Sequence, residues 1–368
     1  MNQSDLQTIV SLFAINEKIK DIQPLGDGLI NDTFVVITEG EENDNYVLQR
    51  INTNVFPDVD MVMRNIDIVT THLRKKLSRE GVKDIKHKVL KFIALKDHPN
   101  KLYANVDDNF WRLMVFIDHA VTKNEVNAES CFAAGKAFGN FQAMLSDVHY
   151  ELGETIADFH NIEFRIEQLK QAAIEDRMGR FETPEVQTLL EEIGKHCEEM
   201  TKAESLYREG KLPKRVCHCD TKVNNMLFSE DGKEVLCIID LDTVMPSFIF
   251  SDYGDFLRSA ANTAAEDEQD FSKIEFRMDV FSAFTEGYLL SARSFLTTLE
   301  IQMLPFAVKL FPYMQTVRFL WDYLNGDVYW KVKYPTHNLV RAQNQMRLFE
   351  RVEAVEPKLV EFINKQLS

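Results

Sequence analysis

The sequence predicts an α+β fold in which a small strand-rich part comes first and a larger, mainly helical part follows. β-Branched and aromatic runs fill the first third of the chain, whereas apolar residues recur every three or four positions after about residue 120. The 368 residues also suffice for about two domains at roughly 150 residues each. We therefore expect an N-terminal lobe of residues 1–117 and a C-terminal lobe of residues 118–368.

Strands dominate the first lobe. Residues 33–38 and 46–50 are rich in β-branched and aromatic side chains and flank the polar segment 39–45, which predicts an antiparallel hairpin. Further strands are expected at 88–94, 101–105 and 110–117. One helix is expected among them, because apolar residues recur at helical spacing between Pro57 and Leu73.

Helices dominate the second lobe. The helical periods predict helices at 128–146, 160–174, 184–208, 252–263, 270–295, 299–325 and 338–366. A single strand pair, at 226–228 and 235–239, interrupts them around the turn at residues 230–232.

Composition and charge exclude several classes of function. The 42 Lys and Arg against 58 Asp and Glu give a net charge of −16, so we expect neither nucleic acid nor a membrane surface as a partner. No apolar run approaches the roughly 18 residues of a membrane-spanning helix. Five irregularly spaced cysteines and no secretory signal indicate a cytoplasmic protein with reduced thiols. No obligate protein partner is evident, and the net charge alone would suit a cationic substrate.

The strongest chemical signal is a short polar loop followed by the predicted hairpin. His218, Asp220 and Asn225 have the spacing H-x-D-x-x-x-x-N, and Asp240 follows the second strand of the hairpin. Phosphoryl transfer needs a carboxylate to orient the attacking hydroxyl and oxygen ligands to hold magnesium on the phosphates. A loop and a hairpin can bring these groups together. The alternative, polar residues that only cap turns, does not explain both elements in this order.

A glycine-rich segment precedes the first hairpin. Gly26 and Gly28 would let backbone amides approach a phosphate closely, and we take Asp27, Asn31 and Thr33 as further nucleotide-binding candidates. Alone, this pattern is an ordinary tight turn. Ahead of two strands, and about 190 residues before the polar loop, it indicates a loop that covers the phosphates of a nucleotide. No helix follows the glycines, which disfavours a dinucleotide-binding fingerprint.

Together these motifs resemble the aminoglycoside phosphotransferase/choline kinase superfamily, over nearly the whole chain. Within it, the C-terminal segments are similar to the bacterial N-acetylhexosamine 1-kinases. The similar segments are 111–112, 116–117, 240–246, 318–320, 322–324, 326–329, 333–335 and 337–341. The resemblance implies a two-lobed protein-kinase-like fold, with a small N-terminal antiparallel β lobe that binds the nucleotide, a larger C-terminal lobe that binds the substrate, and a hinge near residues 114–118.

The resemblance also implies the roles of individual residues. Asp220 would be the catalytic base and would contact the sugar. Asn225 and Asp240 would be ligands of Mg²⁺. His218 and Asp252 would position the catalytic loop.

Sugar and adenine contacts are implied in the same way. Arg318 and Tyr329 match sugar-contacting positions. From the residues alone, Arg318 could instead pair with Asp322 at i,i+4, and Tyr329 could be a packed core aromatic. The adenine of ATP is expected on backbone groups of the hinge residues Val115, Phe116 and Ile117.

Gln49 departs from the usual kinase pattern. Kinases place a lysine on the third strand and pair it with a helix glutamate, but here Gln49 occupies the position and the next helix offers only Asp67. Arg50 cannot replace it, because adjacent strand residues point to opposite faces. Either Gln49 binds phosphate through neutral hydrogen bonds, or another cation such as Lys222 contributes.

We therefore expect an enzyme that uses ATP and Mg²⁺ to phosphorylate the C1 hydroxyl of an N-acetylhexosamine such as N-acetylglucosamine or N-acetylgalactosamine. One alternative is the same chemistry on an aminoglycoside, choline, homoserine or another sugar. A second is a non-catalytic nucleotide-binding regulator, which the missing strand lysine would suit. A protein kinase is disfavoured, because the chain has no Asp-Phe-Gly string.

Overall fold

The computed structural model describes residues 3–26, 31–123 and 126–367, and these ranges contain ten β-strands and eleven α-helices. The strands are β1 Ile19–Pro24, β2 Asp32–Thr38, β3 Tyr46–Ile51, β4 Ala104–Val106, β5 Asn109–Val115, β6 Ala120–Val121, β7 Arg215–Cys217, β8 Met226–Ser229, β9 Val235–Ile238 and β10 Met245–Ser247. The helices are α1 Gln3–Val10, α2 Val59–Arg79, α3 Ala128–Leu145, α4 Ile162–Glu175, α5 Pro184–Met200, α6 Lys202–Arg208, α7 Phe250–Ala260, α8 Met278–Ala292, α9 Thr298–Gln302, α10 Leu304–Leu324 and α11 His337–Leu367.

The chain forms two compact units, each built from three segments. The first unit consists of Met1–Thr122, Asp147–Ile156 and Met226–Met245. The second consists of Lys123–Ser146, Ala157–Asn225 and Pro246–Ser368. The assignment of nucleotide binding to residues 1–117 and of catalysis to residues 118–368 stays a prediction.

The first unit is built on a five-stranded antiparallel sheet with the strand order β1-β2-β3-β5-β4. The hairpin predicted from the β-branched runs is present as β2 and β3, with Val36 paired to Tyr46. Alternate residues of these strands point to opposite faces, so Leu48 and Trp111 enter a core with α1 while their neighbours Gln49 and Arg112 lie on the other face.

The strand predicted at 88–94 is not formed, and only Phe92 makes an isolated bridge, to Met114. The reason is competition for the free edge of β5. Strand β4 already pairs with the first part of β5, from Asn109 to Trp111. Only a short stretch of edge remains, where the N–H of Ile93 donates to a β5 carbonyl at 2.8 Å.

One helix and a second, three-stranded sheet also belong to the first unit. Helix α2 is capped by Asp58, which accepts a hydrogen bond from the N–H of Met61, and it runs six residues beyond the predicted end at Leu73. Strands β8 and β9 form the predicted second hairpin, with Met226 paired to Ile238, and β6 pairs with the outer side of β8.

The second unit is mainly helical, and two helix pairs form its centre. Helix α3 packs against α8, and α10 packs against α11. Helix α10 is buried almost all round, which is typical of a helix at the centre of a large core. No helix in the described ranges has both the length and the apolar character needed to cross a bilayer.

Three of the helices predicted for the second lobe differ from the observed ones by a break or by more than three residues at one end. The helix expected at 184–208 is divided into α5 and α6 at Thr201, and the one expected at 299–325 is divided into α9 and α10 at Met303. Pro305 in the first turn of α10 lacks an N–H, which suits a helix start. Helix α8 begins only at Met278, after a short 3₁₀ turn.

Candidate active site

The polar loop at residues 218–225 lies in the second unit, after β7. The amide nitrogen of Asn225 donates to the backbone oxygen of Asp220 at 2.8 Å and to its Oδ2 at 3.0 Å. Lys222 forms an ion pair with the other carboxylate oxygen of Asp220, at 2.8 Å. The structure therefore brings Asp220 and Asn225 together, and it adds a cation beside the carboxylate.

The backbone of this loop is held in an uncommon conformation. Cys219, between His218 and Asp220, has a φ of 64°, in the left-handed region that favours glycine. Its side chain is buried, and the N–H of Asp220 donates to Nδ1 of His218 at 3.2 Å. Such backbone strain persists only where the surrounding structure fixes it, and it is common at functional sites.

Asp252, in the first turn of α7, is the group that fixes this conformation. Its two oxygens accept the backbone N–H groups of His218 at 3.0 Å and of Cys219 at 2.8 Å. Gln142 donates to the same carboxylate at 2.8 Å. Burial raises the pKa of Asp252, and the hydrogen bonds from these donors act in the opposite direction.

Asp240 lies in the first unit, two residues beyond the end of β9. It is exposed and has a φ of 59°, which turns the chain sharply into the 3₁₀ turn Leu241–Thr243. Its neighbour in that turn, Asp242, is buried and accepts a hydrogen bond from the Asn31 side chain at 2.8 Å.

A row of polar side chains crosses the sheet of the first unit. Thr33, Gln49 and Arg112 are register partners on β2, β3 and β5. Gln49 donates to Oγ1 of Thr33 at 3.1 Å, and its Oε1 accepts from Nε of Arg112 at 3.0 Å and from Nη2 at 2.8 Å. Nη1 of Arg112 forms an ion pair with Asp242, which Asn31 also contacts. We call these five residues the Arg112 network.

The network joins three predicted nucleotide-binding residues, Asn31, Thr33 and Gln49, to two that sequence reasoning did not assign to the site. A signal for Arg112 was present, because it is the one charged residue in the apolar stretch 110–117. A buried charge needs a partner. The partner, Asp242, lies 130 positions away and could not be chosen from the sequence.

The remaining nucleotide-binding candidates fall in different surroundings. Gly26 has a φ of 68°, as the predicted tight turn requires, whereas Asp27 and Gly28 lie outside the described residues. At the predicted hinge, the N–H of Val115 donates to Lys91 and that of Phe116 to Asn45. These two N–H groups are thus engaged within the first unit. Ile117 is buried.

Arg318, on α10 in the second unit, is surrounded by aromatic rings. The centre of its guanidinium lies 4.8 Å from the ring of Phe159, 5.2 Å from that of Trp330 and 5.9 Å from that of Tyr329. We call these four residues the Arg318 cluster. Nη1 donates to Gln315 at 2.9 Å, and the side chain is only 7% exposed. Burial lowers the pKa of Arg318.

The structure excludes both structural alternatives for these residues. Tyr329 is 45% exposed and is therefore not a core aromatic. Asp322 does not pair with Arg318: its carboxylate accepts the backbone N–H groups of Val328, Tyr329 and Trp330 at 2.9, 2.8 and 3.1 Å. Asp322 thus holds the turn that carries two aromatic residues of the Arg318 cluster.

Helix α7 links the polar loop at residues 218–225 to α10 within the second unit. A Cβ on Gly254 would lie 2.4 Å from the backbone oxygen of Ala307, so the two helix backbones touch there. The negative charge of Asp255, on α7, acts to raise the pKa of both Lys222 and Arg318, against the opposite effect of burial.

His160, which sequence reasoning missed, stacks on Phe159 of the Arg318 cluster with 4.3 Å between ring centroids. Burial lowers the pKa of His160 to about 3, so its ring is neutral at neutral pH. A neutral ring adds no second positive charge beside Arg318.

The chain is similar to known proteins along most of its length. The profile of the APH family, described as the phosphotransferase enzyme family, matches residues 21–281. An aminoglycoside phosphotransferase from Alicyclobacillus acidocaldarius has 14% identity and a TM-score of 0.60, over 98% of this chain and 96% of its own. An amicoumacin kinase in complex with AMP-PNP and Ca²⁺ has 15% identity and a TM-score of 0.59, over 100% and 98%. A choline kinase from Cryptosporidium parvum has 14% identity and a TM-score of 0.59, over 98% of both chains. At these identities the likeness shows the fold, and the predicted kinase-like α+β fold is confirmed.

Proposed function

We propose that this chain, which belongs to the APH phosphotransferase enzyme family, transfers the γ-phosphate of ATP to the C1 hydroxyl of an N-acetylhexosamine. Family and fold identify a small-molecule kinase of the aminoglycoside and choline kinase type. The acceptor is the finer part of the proposal. One observation carries it: the buried guanidinium of Arg318, within a group of aromatic rings.

A buried guanidinium disfavours a cationic acceptor. An ammonium group beside Arg318 would face an unfavourable interaction between like charges, which weak screening inside the protein strengthens. The rings of Phe159 and Trp330 offer flat apolar surfaces suited to the C–H face of a sugar, and Arg318 donates hydrogen bonds of the kind that an acetamido oxygen or hydroxyl accepts. The net charge of −16 is a property of the whole chain, and it favours a cationic acceptor only in general. The positive charge of Arg318 lies at the proposed acceptor site and has the larger effect there.

Asp220 is the proposed catalytic base. Its carboxylate would accept the hydrogen bond of the C1 hydroxyl, align the oxygen with the γ-phosphate and take the proton. The new P–O bond forms as the bond from the γ-phosphorus to the bridging oxygen breaks, and ADP leaves. His218 and Asp252 support this step, because they fix the backbone on either side of Cys219. Lys222, 2.8 Å from Asp220, holds this carboxylate by an ion pair.

Asn225 and Asp240 are the proposed ligands of Mg²⁺. Carboxylate and amide oxygens are the donors that this ion prefers. The amide nitrogen of Asn225 is the atom bonded to Asp220, so its oxygen is the atom turned away from Asp220, which fits a metal ligand. When bound, Mg²⁺ neutralises charge on the β- and γ-phosphates of ATP.

An acceptor panel tests the proposal. The purified protein is incubated with Mg²⁺–ATP and, separately, with N-acetylglucosamine, N-acetylgalactosamine, glucose, choline, homoserine and an aminoglycoside, and ³¹P NMR locates the phosphate in each product. We expect turnover of the N-acetylated sugars and a 1-phosphate product. A 6-phosphate, or turnover of the amines alone, would contradict the proposal.

Asp220→Asn is the negative control for this panel, and we expect it to lower kcat by about 10³-fold or more without loss of the fold. Asp231→Asn is the matched control, because Asp231 lies in the exposed turn between β8 and β9 and should leave kcat unchanged. Normal turnover by the Asp220 variant would exclude Asp220 as the base.

A further inference from the structure

The Arg112 network fixes which way the side-chain amide of Gln49 faces. A guanidinium donates hydrogen bonds and accepts none. Because Arg112 makes two bonds to Gln49, at 3.0 and 2.8 Å, the atom that faces it must be the amide oxygen. The NH₂ group is then turned away from Arg112. One of its two hydrogens is donated to Thr33, at 3.1 Å.

We propose that Gln49 and Arg112 together replace the strand lysine of other kinases. Gln49 donates its second amide hydrogen to a phosphate oxygen of ATP. Arg112 is a positioning residue, which holds that amide by two hydrogen bonds. The inference rests on the proposed function in taking ATP as the ligand, and it goes beyond that function by assigning the groups that take the place of the strand lysine.

The charge balance of the network supports this division of roles. Arg112 and Asp242 are both almost fully buried, with side chains 2% and 3% exposed, and they form one cation and one anion. A lysine at position 49 would add a second cation beside Arg112. It would also remove the oxygen that accepts two of the Arg112 hydrogen bonds. In this chain the usual kinase lysine should therefore impair the site.

Lys222, the other cation considered from the sequence, forms an ion pair with Asp220, and its ammonium lies 2.8 Å from that carboxylate. Arg112 is on the same sheet as the predicted nucleotide-binding residues Thr33 and Gln49 and is bonded to one of them.

The deciding variant is Gln49→Glu. A carboxylate accepts the same two hydrogen bonds from Arg112, so the fold is retained, but it has no hydrogen to donate and adds negative charge towards the phosphates. Binding is measured by calorimetry without an acceptor, using Mg²⁺–ATP and adenosine as ligands. We expect Kd for Mg²⁺–ATP to rise about 30-fold or more. We expect Kd for adenosine to stay within about twofold and the melting temperature not to fall.

A charge exchange gives the second test. Gln49→Lys should raise Kd for Mg²⁺–ATP about tenfold, and the double variant Gln49→Lys/Arg112→Gln, which has one cation again, should recover most of that loss. Arg50→Gln is the matched control: Arg50 also lies on β3, but it pairs with Asp32 and has no bond to the Arg112 network.

Three outcomes separate this inference from the proposed function. Mg²⁺–ATP binding by Gln49→Glu within threefold of the original chain would overturn it, as would an improvement in Gln49→Lys alone. If the original chain binds Mg²⁺–ATP but phosphorylates no N-acetylhexosamine, the proposed acceptor is wrong. The binding data for the Gln49 variants still decide the inference in that case.

Discussion

Arg318 is the residue on which the proposed acceptor class rests. Its charge is buried among Phe159, Tyr329 and Trp330, and its lowered pKa comes from that burial. Burying a charged side chain destabilises a protein unless the charge is paired or hydrogen-bonded to another group. This burial is the reason why we propose a role for Arg318 in substrate recognition.

Arg318→Met should lower kcat/KM for the N-acetylhexosamine by about 10- to 100-fold, because a hydrogen bond to a charged group contributes about 1.5–3 kcal/mol. KM for ATP should stay within about twofold. Steady-state kinetics with each substrate varied in turn measures both. Arg347→Met, at an exposed arginine paired with Glu350 on α11, is the matched control. An unchanged kcat/KM for the sugar would remove Arg318 from the acceptor site.

Single residues were predictable from the sequence where their partners are close along the chain. Asp220 and Asn225 are five positions apart, and a loop of that length leaves few arrangements. Arg112 and Asp242 are 130 positions apart, and only the folded structure selects one carboxylate among 58 acidic residues. The placement of Asp322 under the turn at 328–330 was equally hidden, because backbone N–H groups have no sequence signature.

Helices α3 and α8 pack closely against each other in the second unit. A Cβ on Gly135 would lie 2.1 Å from the backbone oxygen of Phe284, and a Cβ on Gly287 would lie 2.1 Å from that of Phe132. The two backbones therefore touch with no side chain between them. Helix α3 also carries Gln142, which bonds to Asp252, so this contact supports the polar loop at residues 218–225.

Gly135→Ala should destabilise the protein by about 3 kcal/mol, since the methyl group cannot fit without a shift of the whole helix. Urea unfolding measures the change. Gly194→Ala makes the same substitution in the exposed interior of α5, where nothing lies within 4 Å of the added Cβ. It should stabilise by about 0.5–1 kcal/mol, because alanine loses less backbone entropy than glycine. Effects of the same sign at both sites would contradict this account.

Elements with strong local signals were predicted closely. The β-branched runs of β2 and β3 and the periodic pattern of α3 each came within a residue or two of their observed ends. The segment at 88–94 has an equally apolar sequence but finds only a short stretch of sheet edge, which no local pattern reveals. Strand β1 was missed because its sequence, IKDIQP, has few apolar residues.

At the scale of the whole molecule, the reactivity of the five cysteines can test the fold and the expectation that the thiols are reduced. Four of them are buried, and Cys197 alone has intermediate exposure. Burial raises the pKa of Cys131 and of Cys237 to about 12 and that of Cys217 and Cys219 well above the usual value. The reactive species is the thiolate, so buried thiols of high pKa react slowly.

A thiol reagent such as DTNB should therefore modify about one cysteine per native chain and all five in denaturant. Cys197→Ser should abolish the fast reaction of the native protein. Two or more fast-reacting thiols would show that one of the buried cysteines is accessible.

The three-segment construction of the first unit has a consequence for the order of synthesis. Strands β1 to β5 are complete at Val115, but the carboxylate that neutralises Arg112 is translated 130 residues after Arg112 itself. At roughly 5–20 residues per second, about 6–26 s pass before Asp242 has been translated. During this time the nascent sheet contains a cation whose buried partner is missing. The N-terminal segment should thus emerge from the ribosome incompletely folded. A fragment that ends at Thr122 should fail to fold by itself, although it contains the entire five-stranded sheet.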